Sequence, residues 1–248
     1  MIPNPIRKVL SSMQKNRVRA LLMGGQACVF YGAAEFSRDT DLAILADAEN
    51  LVRLRRALDD LQANAIAVPS CKLQFLRRGH AVHFRCQHPD APRMRVDVMS
   101  KMRGVDVFSA LWRRRTTIAL PDGTRCDLMS LPDLVLAKKT QRDKDWPMIR
   151  RLVEANYFEN YKKPNKSQIA FWLLEMRTPQ LLIDIAKQHP AACKRAALKR
   201  PLLSLAVVGS TKDLQQALQS EETAEREIDQ RYWSPLRKEL EKLRHARS

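Results

Sequence analysis

Three aspartates in this chain stand where carboxylates could hold a metal. Asp39 and Asp41 flank Thr40 at the head of an apolar run, residues 39–45. Side chains of a strand alternate, so in a strand both carboxylates share one face, while Thr40 and Leu42 share the other. Two acids so placed repel each other unless a cation lies between them. Magnesium suits them, because it takes hard oxygen ligands and leaves room for phosphate oxygens. A third acid, Asp97, interrupts the strand-like stretch 94–99, in which Val96 and Val98 face one way and Arg95 and Asp97 the other. Buried unpaired charge is costly, so an acid there needs a reason. A third metal ligand is one reason; an ion pair with Arg95 or another base is the alternative.

The residues before the acids suit phosphate. Residues 18–23 form a short apolar run that stops at Gly24-Gly25, the pattern of a buried strand and tight turn, and residues 26–31 read as a helix leaving it. Backbone amides at such a turn can approach a triphosphate closely, and a helix N-terminus favours negative charge. Ser37 and Arg38 lie just ahead of the acids, where they could also meet phosphate. A basic block follows later: Lys138-Lys139, then Arg142-Asp143-Lys144-Asp145. Lys138, Arg142 and Asp145 are spaced to share one face if their helix is continuous; a solvated charged helix is the alternative.

The stretch MGGQACVFYGAAEFSRDTDLAIL resembles the signature of the DNA polymerase beta-like nucleotidyltransferases. Within it, Gly-Gly followed by Phe-Ser-Arg-Asp-Thr-Asp is most similar to the branch that contains the abortive-infection nucleotidyltransferase toxins. The Leu131-Pro132-Asp133-Leu134 helix leading into the Lys/Arg block is similar to that branch as well. The resemblance spans roughly residues 20–155. It implies that Asp39, Asp41 and Asp97 bind two Mg²⁺ ions, with Mn²⁺ as the alternative metal, and that Gly24 and Gly25 line the nucleotide phosphates. It further implies that Lys138 or Lys139, with Arg142, neutralises phosphate. The implied reaction moves a nucleoside monophosphate from a nucleoside triphosphate such as ATP to an acceptor hydroxyl. An RNA end such as a tRNA, a protein hydroxyl and a small antibiotic-like molecule are the acceptors to weigh. A toxin of this kind would have an antitoxin partner. An inactive nucleic-acid-binding module on the same fold is the competing reading.

These residues need a scaffold. Strands are predicted at 18–23, 39–45, 73–77, 81–86, 94–99, 117–120 and 125–129, with Pro121-Asp122-Gly123 as the turn joining the last two. Helices are predicted at 5–14, 26–31, 49–61, from 130 or 131 to about 141, and at 143–154. Beyond residue 160 only helix signals occur: an apolar run at 169–176, a helix opening at Thr178-Pro179, a run closing at Gly209, and one opening at Ser234-Pro235. The expected fold is therefore α/β (α+β), a small mixed sheet with flanking helices of the nucleotidyltransferase type over 1–160, followed by an all-helical part over 161–248.

Bulk properties set the remaining limits. The 248 residues carry 44 Lys plus Arg against 27 Asp plus Glu, a net charge of +17, which favours polyanions such as RNA. Five cysteines with no C-x-x-C pair argue against a disulfide framework or zinc ribbon and fit reduced thiols in the cytoplasm. No apolar run reaches the ~20 residues of a membrane span. His80 and His83 form an H-x-x-H without a Glu-bearing helix, so a zinc hydrolase is not expected, and P-loop and dinucleotide motifs are absent.

Overall fold

A computed structural model describes residues 4–120 and 122–246, and the predicted turn residue Pro121 lies outside them. In chain order the elements are α1 (Asn4–Lys15), β1 (Ala20–Met23), α2 (Gly24–Phe30), β2 (Asp39–Ile44), α3 (Ala48–Asp60), β3 (Asn64–Ala65), α4 (Leu73–Arg78), β4 (Val82–Arg85), β5 (Arg95–Met99), α5 (Phe108–Arg114), β6 (Thr116–Ala119), β7 (Arg125–Leu128) and α6 (Leu131–Ala137). After them come α7 (Asp145–Asn160), α8 (Lys166–Glu175), α9 (Pro179–Gln188), α10 (Pro190–Ala197), α11 (Leu203–Val208) and α12 (Thr211–His245). The architecture is α/β, with a mixed sheet, flanking helices and a helical C-terminal part.

The chain divides into two compact units. The first holds residues 1–30, 34–137 and 232–248; the second holds 31–33 and 138–231. Residues 232–248, which include the end of α12, fall in the first unit with the sheet.

In the first unit, seven strands run in the order β3-β4-β5-β2-β1-β7-β6. β2 is central, antiparallel to β1 and parallel to β5. Thr40, Leu42, Val96, Val98, Val82 and Phe84 are buried on one face of these strands. The helix α3 shows how local chemistry fixes an element beside them. Asp47 caps it by accepting from Asn50 N at 2.7 Å, Glu49 sits in its first turn, and Leu51, Leu54 and Leu58 form its buried stripe. Each of these leucines contributes roughly 2 kcal/mol by leaving water. Buried Asn50 then ties α3 to the sheet: it accepts from Arg19 N at 2.7 Å and donates to the carbonyls of Arg19 and Leu45.

Three predicted elements differ. Residues 73–77 form the helix α4 instead of a strand; it buries Phe75 and Leu76 and ends at Gly79, whose φ of +106° makes a left-handed cap. The helix from Leu131 stops at Ala137, so Lys138, Arg142 and Asp145 do not lie along one continuous helix. Ser234-Pro235 does not begin a helix, because Pro235 lies inside α12. Four stretches were not anticipated: the short β3, α5, α10 and the part of α12 ahead of Ser234.

The second unit is built from α7 to α11 and the first part of α12. Asn165 and Gln168 form a reciprocal capping box at the start of α8. Trp172, Leu173, Met176, Leu182, Ile183 and Leu203 form its core. Among the described residues no helix is long and apolar enough to cross a membrane.

Candidate functional site

Strand register brings the acids together. β2 and β5 run parallel, with Asp41 opposite Asp97 and Asp39 opposite Arg95. β4 extends the rows: His83 stands opposite Asp97, and Arg85 opposite Arg95. Directly opposed residues share a face, so one row across the sheet reads His83, Asp97, Asp41 and its neighbour reads Arg85, Arg95, Asp39. Leu42, Val82, Phe84, Val96 and Val98 of the same strands point to the opposite face, where they are buried. The alternation expected at Asp39 and Asp41 is present, and Asp97 joins them through register.

The turn after β1 meets this row. Met23 pairs with Asp41, and Gly24 follows with φ +65°. A β-carbon on Gly24 would fall 1.9 Å from Oδ2 of Asp41, and one on Gly25 would fall 2.7 Å from Oγ of Ser37. Both positions therefore need glycine for space, and the first needs it for conformation too. Ser37 Oγ also donates to the Asp39 carbonyl at 3.2 Å. Arg38 is exposed just ahead of β2.

Asp97 is engaged within the protein. Its Oδ1 accepts from Arg95 Nε at 2.8 Å and lies 2.9 Å from His83 Nδ1. Burial opposes ionisation of Asp97, but His83 and Arg95 outweigh it and hold the carboxyl below the usual range. Arg95 Nη2 lies 3.1 Å from His83 Nδ1 as well. That nitrogen can donate to Asp97 when protonated or accept from Arg95 when not, but not both at once. The hydrogen bond to Asp97, then its charge and those of Asp39 and Asp41, keep Arg95 firmly cationic. The ion-pair alternative for Asp97 is thus realised in the structure. Among the described residues no group of three or more His, Cys, Asp or Glu side chains is gathered closely enough to hold a metal ion. The donor set still fits a hard cation, since Asp39 and Asp41 share a face with Asp97 beside them. Asp97 would have to exchange Arg95 for it. Sequence reasoning set His83 aside as a zinc ligand; its place opposite Asp97 depends on pairing across strands that no local pattern reveals.

His80 and His83 have separate partners. His80, buried ahead of β4, lies 2.8 Å from Glu239. The cysteines form no disulfide among the described residues, and burial pushes the Cys86 thiol up to about 11 and Cys126 up to about 12, which disfavours a reactive thiolate at either.

Lys138, Lys139 and Arg142 belong to the second unit, whereas the three aspartates belong to the first. Although their helix is broken, Lys138 and Arg142 converge on Asp145, at 3.2 and 2.7 Å, and Thr140 Oγ1 donates to it at 2.6 Å. Lys139 pairs with Glu175 at 2.8 Å. Of the three cations Arg142 is the most accessible, with 59% of its side chain exposed.

No protein-family model matches this chain, and no curated protein matches it.

Proposed function

We propose that this protein transfers a nucleoside monophosphate from a nucleoside triphosphate to an acceptor hydroxyl. The observation that carries the reading is the fit of Gly24 against Asp41, where a β-carbon would come within 1.9 Å of the carboxylate. Bare backbone lies directly beside one member of an acid pair, which is the arrangement needed to seat phosphates next to a carboxylate-held cation. In this reading Asp39 and Asp41 hold magnesium, and Asp97 is the third ligand. Magnesium held there supplies Lewis-acid charge to the phosphate oxygens. The Gly24-Gly25 backbone places the triphosphate, and Ser37 and Arg38 bound its approach. The acceptor oxygen bonds to the α-phosphorus and pyrophosphate departs. The likeness of the sequence to the polymerase beta-like superfamily supports this assignment, and the branch it resembles extends it to a toxin with an antitoxin partner. The net charge of +17 favours RNA as acceptor.

A second reading rests on one observation. Asp97 is tied to Arg95 and His83, as in a binding module that keeps the fold and dispenses with metal. One assay separates the two. The protein is incubated with magnesium or manganese, each labelled nucleoside triphosphate and total RNA, beside Asp41→Asn. Label passing to RNA with the parent protein alone is the expected result. No label on RNA, protein or small acceptors with either metal would leave the binding module standing.

A further inference from the structure

The first unit has a second concave surface, away from Asp39, Asp41 and Asp97, none of which lines it. Leu22 and Leu42 are directly paired across β1 and β2, and strand alternation points Leu42 away from the face that carries Asp41. Both line a cleft of about 440 Å³ that α1, α5 and β7 also border. That volume lies within the range of small-molecule sites.

Its rim is unusually basic. Arg17, Arg19, Arg53, Arg115 and Arg125 line the cleft against a single acid, Asp127. That acid is already satisfied: Arg115 Nε donates to it at 2.9 Å, and Thr117 Oγ1 donates to it as well. Arg53 is paired with Glu49. Arg17, Arg19 and Arg125 have no ion-pair partner among the described residues. Arg17 does not hang loosely, because its backbone is fixed at φ +54° by Arg17 N to Gln14 O and Val18 N to Met13 O, both at 2.9 Å, where α1 ends. Three cations thus converge on one cleft with no internal anion to neutralise them.

The wall beside them is aromatic. Phe108 stacks on Trp112 with ring centroids 5.6 Å apart, and the Arg115 guanidinium lies over Trp112 at 4.2 Å. A nucleobase stacks readily on an arginine plane and would extend this pile. Apolar leucines, a stacked guanidinium and uncompensated arginines suit a ligand that is flat at one end and anionic at the other.

We propose that this cleft binds one nucleotide unit, free or as part of an RNA strand, with its base against Arg115 and Trp112 and its phosphate among Arg17, Arg19 and Arg125. Asp39, Asp41 and Asp97 do not line this cleft, and the site does not depend on the transfer reaction proposed above.

The full-length protein, in EDTA, is titrated with AMP, a short 5′-phosphorylated oligoribonucleotide and inorganic phosphate, following tryptophan fluorescence and heat. The expected result is binding of the oligonucleotide, with AMP binding too if a free nucleotide is the natural ligand. The Arg17→Ala, Arg19→Ala, Arg125→Ala triple variant should bind at least about tenfold more weakly at 0.1 M salt, with a shallower salt dependence. Asp41→Asn should bind like the parent. Arg19→Glu alone reverses one exposed charge and should also weaken binding, so it stands in for the triple variant should that melt early. Unchanged affinity in these arginine variants, equal loss in Asp41→Asn, or inorganic phosphate binding as tightly as either nucleotide ligand would overturn the proposal.

Discussion

Gly24 and Asp41 are in such close contact that a β-carbon on the glycine would lie 1.9 Å from Oδ2 of the aspartate. With φ at +65°, Gly24 also occupies a conformation that other residues adopt at a cost of about 1–2 kcal/mol. Gly24→Ala should therefore lose stability twice over, from the backbone and from displacement of Asp41. A fall in melting temperature of at least about 4 °C is expected for a protein of this size. Nucleotide transfer should drop about a hundredfold or more, since it depends on where that carboxylate stands. Gly32→Ala is the matched control. Gly32 has φ +71° but nothing within 4 Å of a β-carbon, so it should show the backbone cost and keep its activity. Equal transfer by the two variants would separate Asp41 from the chemistry.

Arg95 competes for Asp97. Its Nε donates to the carboxylate at 2.8 Å, on the same face as Asp39 and Asp41. If Asp97 is a third metal ligand, removing that cation should tighten magnesium binding. Arg95→Gln is then expected to show a larger rise in melting temperature than the parent at each magnesium concentration, setting in at several-fold less magnesium, because a ligand that binds the native state stabilises it according to its affinity. A purely structural pair predicts another pattern: lower stability without metal, and the same rise with magnesium as the parent. Thermal melts across a magnesium series decide between them.

Much of this site was legible because its parts are local. Asp39, Thr40 and Asp41 declare their faces by alternation alone, and the apolar run ending at Gly24-Gly25 announces a strand and turn. The elements that failed were short or held by distant partners. In residues 73–77 Leu73 and Phe75 on either side of Gln74 imitate a strand, whereas Phe75 and Leu76 are both buried on a six-residue helix closed by Gly79. So short a segment lets neither period win. Pro235 reads as a first-turn residue, yet it sits inside α12, where loss of a hydrogen bond normally costs about 3 kcal/mol. Contacts remote in sequence offset that cost: Leu236 is buried, and Glu239 pairs with Arg78. The break at 138–144 is of the same kind, since Trp146 Nε1 donates to the Thr140 carbonyl at 2.8 Å and Asp145 gathers the side chains around it. His83 opposite Asp97 is a register fact, which no window of sequence contains.

The end of α12 in the first unit is held by Glu239, which meets Arg78 at 2.6 Å and His80 at 2.8 Å. His80 is buried, and its Nδ1 has no hydrogen-bond partner. Truncating Glu239 would leave the imidazole without a polar contact on either nitrogen, and a buried unsatisfied polar group costs about 1–3 kcal/mol. Glu239→Ala should lower stability by that amount in urea unfolding, and Glu239→Gln by less, since an amide can still hydrogen-bond. Glu241→Ala, two residues on and exposed, should stay within about 0.5 kcal/mol of the parent. Equal midpoints for Glu239→Ala and Glu241→Ala would mean that the contact does not anchor the helix.

Asp145 offers a pH test in the second unit. Its side chain is only 3% exposed and is met by Lys138, Thr140 and Arg142. Burial opposes its charge, but Lys138, the Thr140 hydroxyl and Arg142 together hold the carboxyl below its ordinary value. The unfolded chain has the ordinary carboxylate pKa, near about 3.9. A depressed folded value means that the unfolded state binds the proton more readily, so the contribution to stability is complete above about pH 4–5 and is lost as pH falls through the folded value. Asp145→Asn removes the charge and leaves Lys138 buried without its counter-ion, which should cost about 3 kcal/mol at neutral pH. The gap between parent and variant, measured by denaturant unfolding, should hold steady from about pH 7 to pH 5 and narrow below about pH 4. A gap that stays constant down to about pH 3, or widens there, would show that the carboxylate charge of Asp145 is not what stabilises this cluster.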